Sequence, residues 1–104
     1  MFDLKGKSAL VTGASGGIGG SVARLLHAQG AVVALAGRNE EALRALAGEL
    51  GDGAHVTPAD LAAPDGATEL VTAATEAMGR IDILVNNAGL TRDNLAMRMK
   101  DEEW

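Results

Sequence analysis

Apolar residues fall along this chain in two alternating patterns, short unbroken runs and stripes at helical spacing. Ser8-Ala9-Leu10-Val11 is a run, and it predicts a short buried strand within Lys7 to Thr12. Behind it, Ile18, Val22, Leu25 and Leu26 recur at helical spacing. They predict a helix from about Gly17 to Gln29, stopped by Gly30, with those four residues on its buried face. His27 then falls on the flank of that helix, as a surface residue. Ala31 to Ala36 is apolar throughout, the pattern of a parallel strand covered on both faces. Leu43, Leu46, Ala47 and Leu50 mark a second helix that begins at Glu40 and ends at Gly51-Asp52-Gly53. His55-Val56-Thr57 is a third, short strand, limited by Pro58. After a connection from Asp60 to Asp65, a third helix is expected from Gly66 to Met78, burying Ala67, Leu70, Val71, Ala74 and Met78. Gly79-Arg80 ends it, and Ile81 to Asn86 supplies a fourth strand centred on Ile83-Leu84-Val85.

The resulting order, β-α-β-α-β-α-β with short connections, defines an α/β fold. Right-handed crossovers place the strands in one Rossmann-like parallel sheet with helices on both faces, in the spatial order 3-2-1-4. The switch between strands one and four makes the carboxyl ends of those strands the expected ligand side. No linker or domain boundary interrupts residues 1–104, which read as one portion of a single domain. Asn94 to Met99 has no clear period, and Asp101-Glu102-Glu103 resembles the acidic first turn of another helix. On this reading the chain is the amino-terminal portion of a longer fold, and the outer edge of strand four is left open to self-association.

Composition changes the picture in three ways. Apolar residues make up 47% of the chain, which argues for a folded core, but the abundance of alanine and the 14 glycines make that core one of small side chains. Cysteine is absent, so disulfides, thiol nucleophiles and cysteine-based zinc sites are excluded. A net charge of −5 opposes a general role on nucleic acid, though not the binding of one phosphate by a local arginine. Met1 to Lys7 lacks the apolar core of a signal peptide, and no stretch approaches a membrane span, so a cytoplasmic protein is expected.

The candidate chemistry lies in Thr12-Gly13-Ala14-Ser15-Gly16-Gly17-Ile18-Gly19, between the first strand and the first helix. A glycine-rich turn there lets a phosphate approach backbone N–H groups at the positive end of a helix dipole. Glycines at 13, 17 and 19 give G-x-x-x-G-x-G, not the G-x-G-x-x-G of the common dinucleotide fingerprint. No Gly-Lys-Ser/Thr closes the loop, which excludes a nucleoside-triphosphate loop. The reading is a nucleotide-cofactor site, for NADP(H) in preference to NAD(H); a glycine-rich turn without a ligand is the alternative.

Thr12 to Gly19 resembles the cofactor loop of the short-chain dehydrogenase/reductase family, and Asn86-Asn87-Ala88-Gly89 resembles that family's second signature. The tail from Gly89-Leu90-Thr91-Arg92-Asp93-Asn94-Leu95 to Trp104 is similar to the bacterial branch that reduces 3-oxoacyl groups carried on acyl-carrier protein, in fatty-acid synthesis. The resemblance covers the whole chain but only the amino-terminal part of a family member. It implies that Gly13, Gly17 and Gly19 shape the pyrophosphate turn, that Ile18 adds a backbone N–H and an apolar contact, and that Ser15 offers a hydroxyl to the adenosine phosphate. Asp60 and Leu61 resemble the pair that borders the adenine, and Asn87, Ala88 and Gly89 would pass close to the ribose and nicotinamide. Asn86 would tie strand four to its neighbours by its amide.

Arg38, just past strand two, stands where such folds read the ribose 2′ position. Gly37 leaves the NAD-selecting acid position empty, and a guanidinium can bond a 2′-phosphate. Many NADP-dependent family members also carry Arg or Lys where this chain has Gly16, so one of two basic ligands is missing. Arg38 and Asp60 also admit plainer readings, a solvated arginine and a turn residue. Arg92 and Asn94 fall near the expected substrate side or a subunit contact.

Family catalysis needs a tyrosine, a lysine and a serine for proton delivery and substrate orientation, and residues 1–104 contain no tyrosine. No catalytic residue and no metal ligand is therefore expected here. The resemblance implies a cofactor-binding portion of an oxidoreductase whose parent is a homo-oligomer, a homotetramer as family members are, acting on an acyl-carrier-protein-bound substrate. A non-catalytic nucleotide-binding module is the rival reading.

Overall fold

The chain was analysed as a computed structural model, which describes residues 3–60, 63–87 and, as backbone, 96–99. Its elements run β1 (Ser8–Val11), α1 (Gly17–Ala28), β2 (Val32–Gly37), α2 (Glu40–Leu50), β3 (Ala54–Pro58), α3 (Gly66–Met78), β4 (Ile83–Asn86) and β5 (Ala96–Met99). They form one sheet in the order β3-β2-β1-β4-β5. The first four strands are mutually parallel, with Leu10 level with Ala34 on one side and with Leu84 on the other.

The unbroken apolar runs resolve into two layers because successive side chains on a strand leave opposite faces. Ala9, Val11, Val33, Leu35, Ile83 and Val85 meet Ala23 and Leu26 of α1 and Leu43 and Leu46 of α2. Leu10, Ala34 and Ala36 meet Leu70 and Ala74 of α3 on the other face. Both layers are thin.

Two helix faces differ from the sequence expectation. α1 buries Gly19, Gly20, Ala23 and Leu26, whereas Ile18 and Leu25 remain 40% and 59% exposed. In α3, Gly66, Leu70 and Ala74 are buried, Met78 is half-buried and packed on the core, and Ala67 and Val71 are exposed. The reason is distance. Small residues let a helix backbone lie close to a sheet, so the contact line follows glycine and alanine instead of the largest apolar side chains.

The outer edge of β4 is also not open, contrary to expectation. β5 pairs with it antiparallel, setting Ile83 opposite Met99 and Asn86 opposite Ala96. A parallel partner requires a crossover of about a dozen residues or more. The connection between Asn86 and Ala96 is shorter than that, so the chain returns along β4 in the reverse sense. The helix start expected at Asp101 lies outside the described residues.

β1 and β4 are fastened at both ends. At their amino ends the Asp82 carboxylate, 8% exposed, accepts from the Ser8 N–H at 2.9 Å and from Arg80 Nε at 2.9 Å. Arg80 also donates to the Gly6 carbonyl at 2.6 Å. Burial opposes ionisation of Asp82, but the Ser8 and Arg80 hydrogen bonds outweigh it and hold the carboxyl below its ordinary range.

Candidate functional site

The ends of α1 and α2 nearest the sheet's carboxyl side are finished differently. At α2, the Asn39 side chain accepts from the Ala42 N–H at 3.1 Å, and Glu40 and Glu41 occupy the first turn. That terminus is capped by its own residues, and its dipole faces its own carboxylates. At α1 the cap position is Gly16, which has no side chain, and the first turn holds no acid. The intrahelical ladder begins with the Gly20 N–H bonding to the Gly16 carbonyl at 2.8 Å. The N–H groups of Gly17, Ile18 and Gly19 therefore have no acceptor within the helix.

The loop shape depends on two glycines. Gly13 has φ +65°, in the left-handed region. A Cβ on Gly19 would stand 2.2 Å from the Gly13 carbonyl oxygen, so the helix enters directly over the turn. Gly17 is different: a Cβ there meets nothing within 4 Å. The Ala14 N–H bonds to the Ala36 carbonyl at 2.9 Å, which ties the loop to the end of β2.

Opposite the loop, β2 ends at Gly37. A Cβ at this position would come within 3.3 Å of the Ser15 hydroxyl oxygen and 3.6 Å of Leu43. Ser15 thus stands over the position from which an acidic side chain would project. Arg38 follows on the surface. Beyond β3, the Ala59 N–H bonds to the Gly37 carbonyl at 3.0 Å, bringing Asp60 to the same edge; the Asp60 carbonyl also closes a turn with the Ala63 N–H at 3.0 Å.

Thr12 joins the loop to β4. Its hydroxyl accepts from the Asn87 N–H at 2.8 Å and lies 3.2 Å from the Val85 carbonyl and 3.4 Å from Asn86 Oδ1, acceptors for its single proton. This role was missed in the sequence, although a hydroxyl residue at the last position before a glycine turn was available as a signal. The structure brings Gly13, Ser15, Gly17, Ile18, Gly19, Arg38, Asp60 and Asn87 to one edge, at or just past the carboxyl ends of parallel strands. Leu61, Ala88, Gly89, Arg92 and Asn94 lie outside the described residues.

Among the described residues, no group of three or more His, Cys, Asp or Glu side chains is placed to hold a metal ion, and no helix is long and apolar enough to cross a membrane. The arrangement offers uncommitted N–H donors at a helix start, a hydroxyl, and a guanidinium. It is a donor set for phosphate groups.

A family model described as short chain dehydrogenase matches residues 7–104, and the chain belongs to that family. It is 53% identical over its full 104 residues to Nodulation protein G of Rhizobium sp. (strain N33), covering 42% of that protein. It is 48% identical, again over its full length and 42% of the relative, to the 3-oxoacyl-[acyl-carrier-protein] reductase of Rickettsia felis. Among solved structures, the 3-ketoacyl-(acyl-carrier-protein) reductase of Brucella melitensis complexed with NADH superposes with a TM-score of 0.74 at 37% identity, covering 78% of this chain and 33% of that one. The chain spans less than half the length of these relatives.

Proposed function

We propose that residues 1–104 form the cofactor-binding portion of an NADPH-dependent 3-oxoacyl-[acyl-carrier-protein] reductase, a cytoplasmic homo-oligomer that reduces a 3-oxo group to a 3-hydroxy group. The observation that carries the cofactor choice is the end of β2. Gly37 offers no carboxylate, Ser15 stands over it with a hydroxyl 3.3 Å from the position of a Cβ, and Arg38 follows. A 2′-phosphate accepts from both groups, whereas a free 2′-hydroxyl finds no acidic partner there.

When bound, the nicotinamide supplies the hydride. The chain's own residues bind and orient. The N–H groups of Gly17, Ile18 and Gly19 meet the pyrophosphate, the close approach at Gly19 keeps that surface free of side chains, and Asp60, Leu61, Asn87, Ala88 and Gly89 border the adenine, ribose and nicotinamide. The proton donor to the substrate oxygen comes from outside residues 1–104, which hold no tyrosine. Similarity to the Rickettsia and Brucella reductases supports the substrate class.

NADH is the second reading for the cofactor, favoured by the NADH bound to the Brucella relative. Titration of NADPH and NADH into the chain and its Arg38→Ala variant separates the two. Loss of a charge-assisted bond weakens NADPH by about 1.5–3 kcal/mol and leaves NADH nearly unchanged. Equal losses for both cofactors refute the selective role.

A further inference from the structure

A cavity of about 310 Å³ opens between α1 and α2, immediately behind the loop. Ser15, Gly16 and Gly17 line one end, and Arg24 and Glu49 line the other. Arg24 Nε and Nη2 donate to the two Glu49 carboxylate oxygens at 2.5 and 3.2 Å. This fork fixes the guanidinium plane across the gap between the helices and uses one side of it. Nη1 is on the other side. A Cβ on Gly20 would lie 3.5 Å from it, so the guanidinium rests over bare helix backbone, one turn nearer the loop than its own Cα. Among the described residues Nη1 has no hydrogen-bond acceptor.

We infer that Arg24 is a second cationic ligand for a phosphomonoester, reaching it through the α1–α2 cavity from beneath the loop. This rests on the cofactor reading above and extends it to a residue outside the signature. The rise from Gly16 to Gly20 is about 6 Å, so Nη1, resting over Gly20, stands about one helical turn from the loop along the axis. The absence of side chains at Gly16 and Gly20 leaves the path clear. The loop has no basic residue of its own, and Arg24 supplies the charge from two turns along the same helix.

Glu49 acts in both directions. It holds the guanidinium in place, and it brings a negative charge to a site for an anion. The Arg24 hydrogen bond keeps its carboxyl below the usual range, so it is ionised at neutral pH. Glu49→Gln retains an oxygen acceptor for Arg24 and removes the charge. This variant is the discriminating one, because the inference requires it to bind the phosphate more tightly.

The test is calorimetric titration of the chain and its variants with adenosine 2′,5′-bisphosphate and adenosine 5′-monophosphate, with circular dichroism of each variant. Arg24→Ala is expected to weaken the bisphosphate by about five- to tenfold while changing the monophosphate less than about twofold. Glu49→Gln is expected to tighten the bisphosphate by about two- to threefold. Should Arg24→Ala lose helix content, Glu49→Gln and Arg24→Lys decide the matter, the latter keeping the charge and part of the affinity. Equal losses for both ligands on Arg24→Ala, or no gain on Glu49→Gln, overturn the inference. If Arg38→Ala weakens the bisphosphate and Arg24→Ala does not, the inference fails while the cofactor reading stands. If the parent chain binds neither nucleotide, both fail.

Discussion

Two glycines two residues apart in the sequence, Gly17 and Gly19, differ sharply in what a methyl group would meet. A Cβ at Gly19 would lie 2.2 Å from the Gly13 carbonyl oxygen, 2.8 Å from its carbon and 3.1 Å from Ala14 Cα. All three atoms are backbone, and Gly13 is already at φ +65°, so no rotamer change relieves the contact. A carbon and an oxygen in ordinary contact stand about 3.3–3.6 Å apart. Gly19→Ala must therefore move α1 off the loop, away from its buried line at Gly20, Ala23 and Leu26. Overpacking of a close-packed interior costs about 1–3 kcal/mol, and a backbone clash belongs at the upper end. At about 4–8 °C per kcal/mol for a domain of this size, the midpoint of thermal unfolding should fall by about 10–20 °C. Gly17→Ala meets nothing within 4 Å, so its midpoint should hold or rise slightly on helix propensity. The same methyl stands at the helix start where a phosphate would approach, and NADPH affinity should fall. Thermal scans and NADPH titration of both variants check this. A Gly19→Ala protein as stable as the parent, or a Gly17→Ala protein that loses stability and keeps its affinity, refutes the reasoning.

Asp82 makes stability depend on acid. Its folded carboxyl is depressed, so its contribution is fully present above the unfolded value of about 3.9 and is lost as pH falls through the lower folded value. Asp82→Asn should cost about 1–3 kcal/mol at pH 7 and flatten the acid limb of a urea-unfolding series; an unaltered limb contradicts the assignment. Thr12→Val preserves shape but leaves the Asn87 N–H without its 2.8 Å acceptor, and should cost about 1–3 kcal/mol with faster amide exchange at Asn87. Exchange at Asn87 equal to that of the parent would show that the hydroxyl does not hold this segment.

The strand order was legible because strands such as Ala31 to Ala36 are apolar on both faces, a pattern that few alternatives share. The glycine loop was legible from its spacing. Helix faces were read less well, since a pattern of large apolar residues weighs Ile18 and Leu25 above Gly19 and Ala23, and the backbone's closest approach reverses that weighting. β5 was missed because Ala96–Met99 carries no period of its own, and its pairing is decided by the edge of β4. The Arg24–Glu49 bridge was not legible either, since it joins two helices at a separation that no local spacing encodes.

The unfinished start of α1 also has a thermodynamic consequence. A helix end that its own sequence leaves uncapped is completed by whatever anion docks there, because that anion accepts from N–H groups the helix leaves unmet. Without ligand, this turn should be the first part of α1 to open, and with ligand it shares in the cooperative unit. Occupancy and folding then become linked quantities. A ligand at a hundred times its Kd adds about 2.7 kcal/mol to the folded state by mass action. In a domain whose two cores are made largely of alanine, valine and leucine, that is a considerable share of the total, and the cofactor becomes a structural component of the fold that binds it.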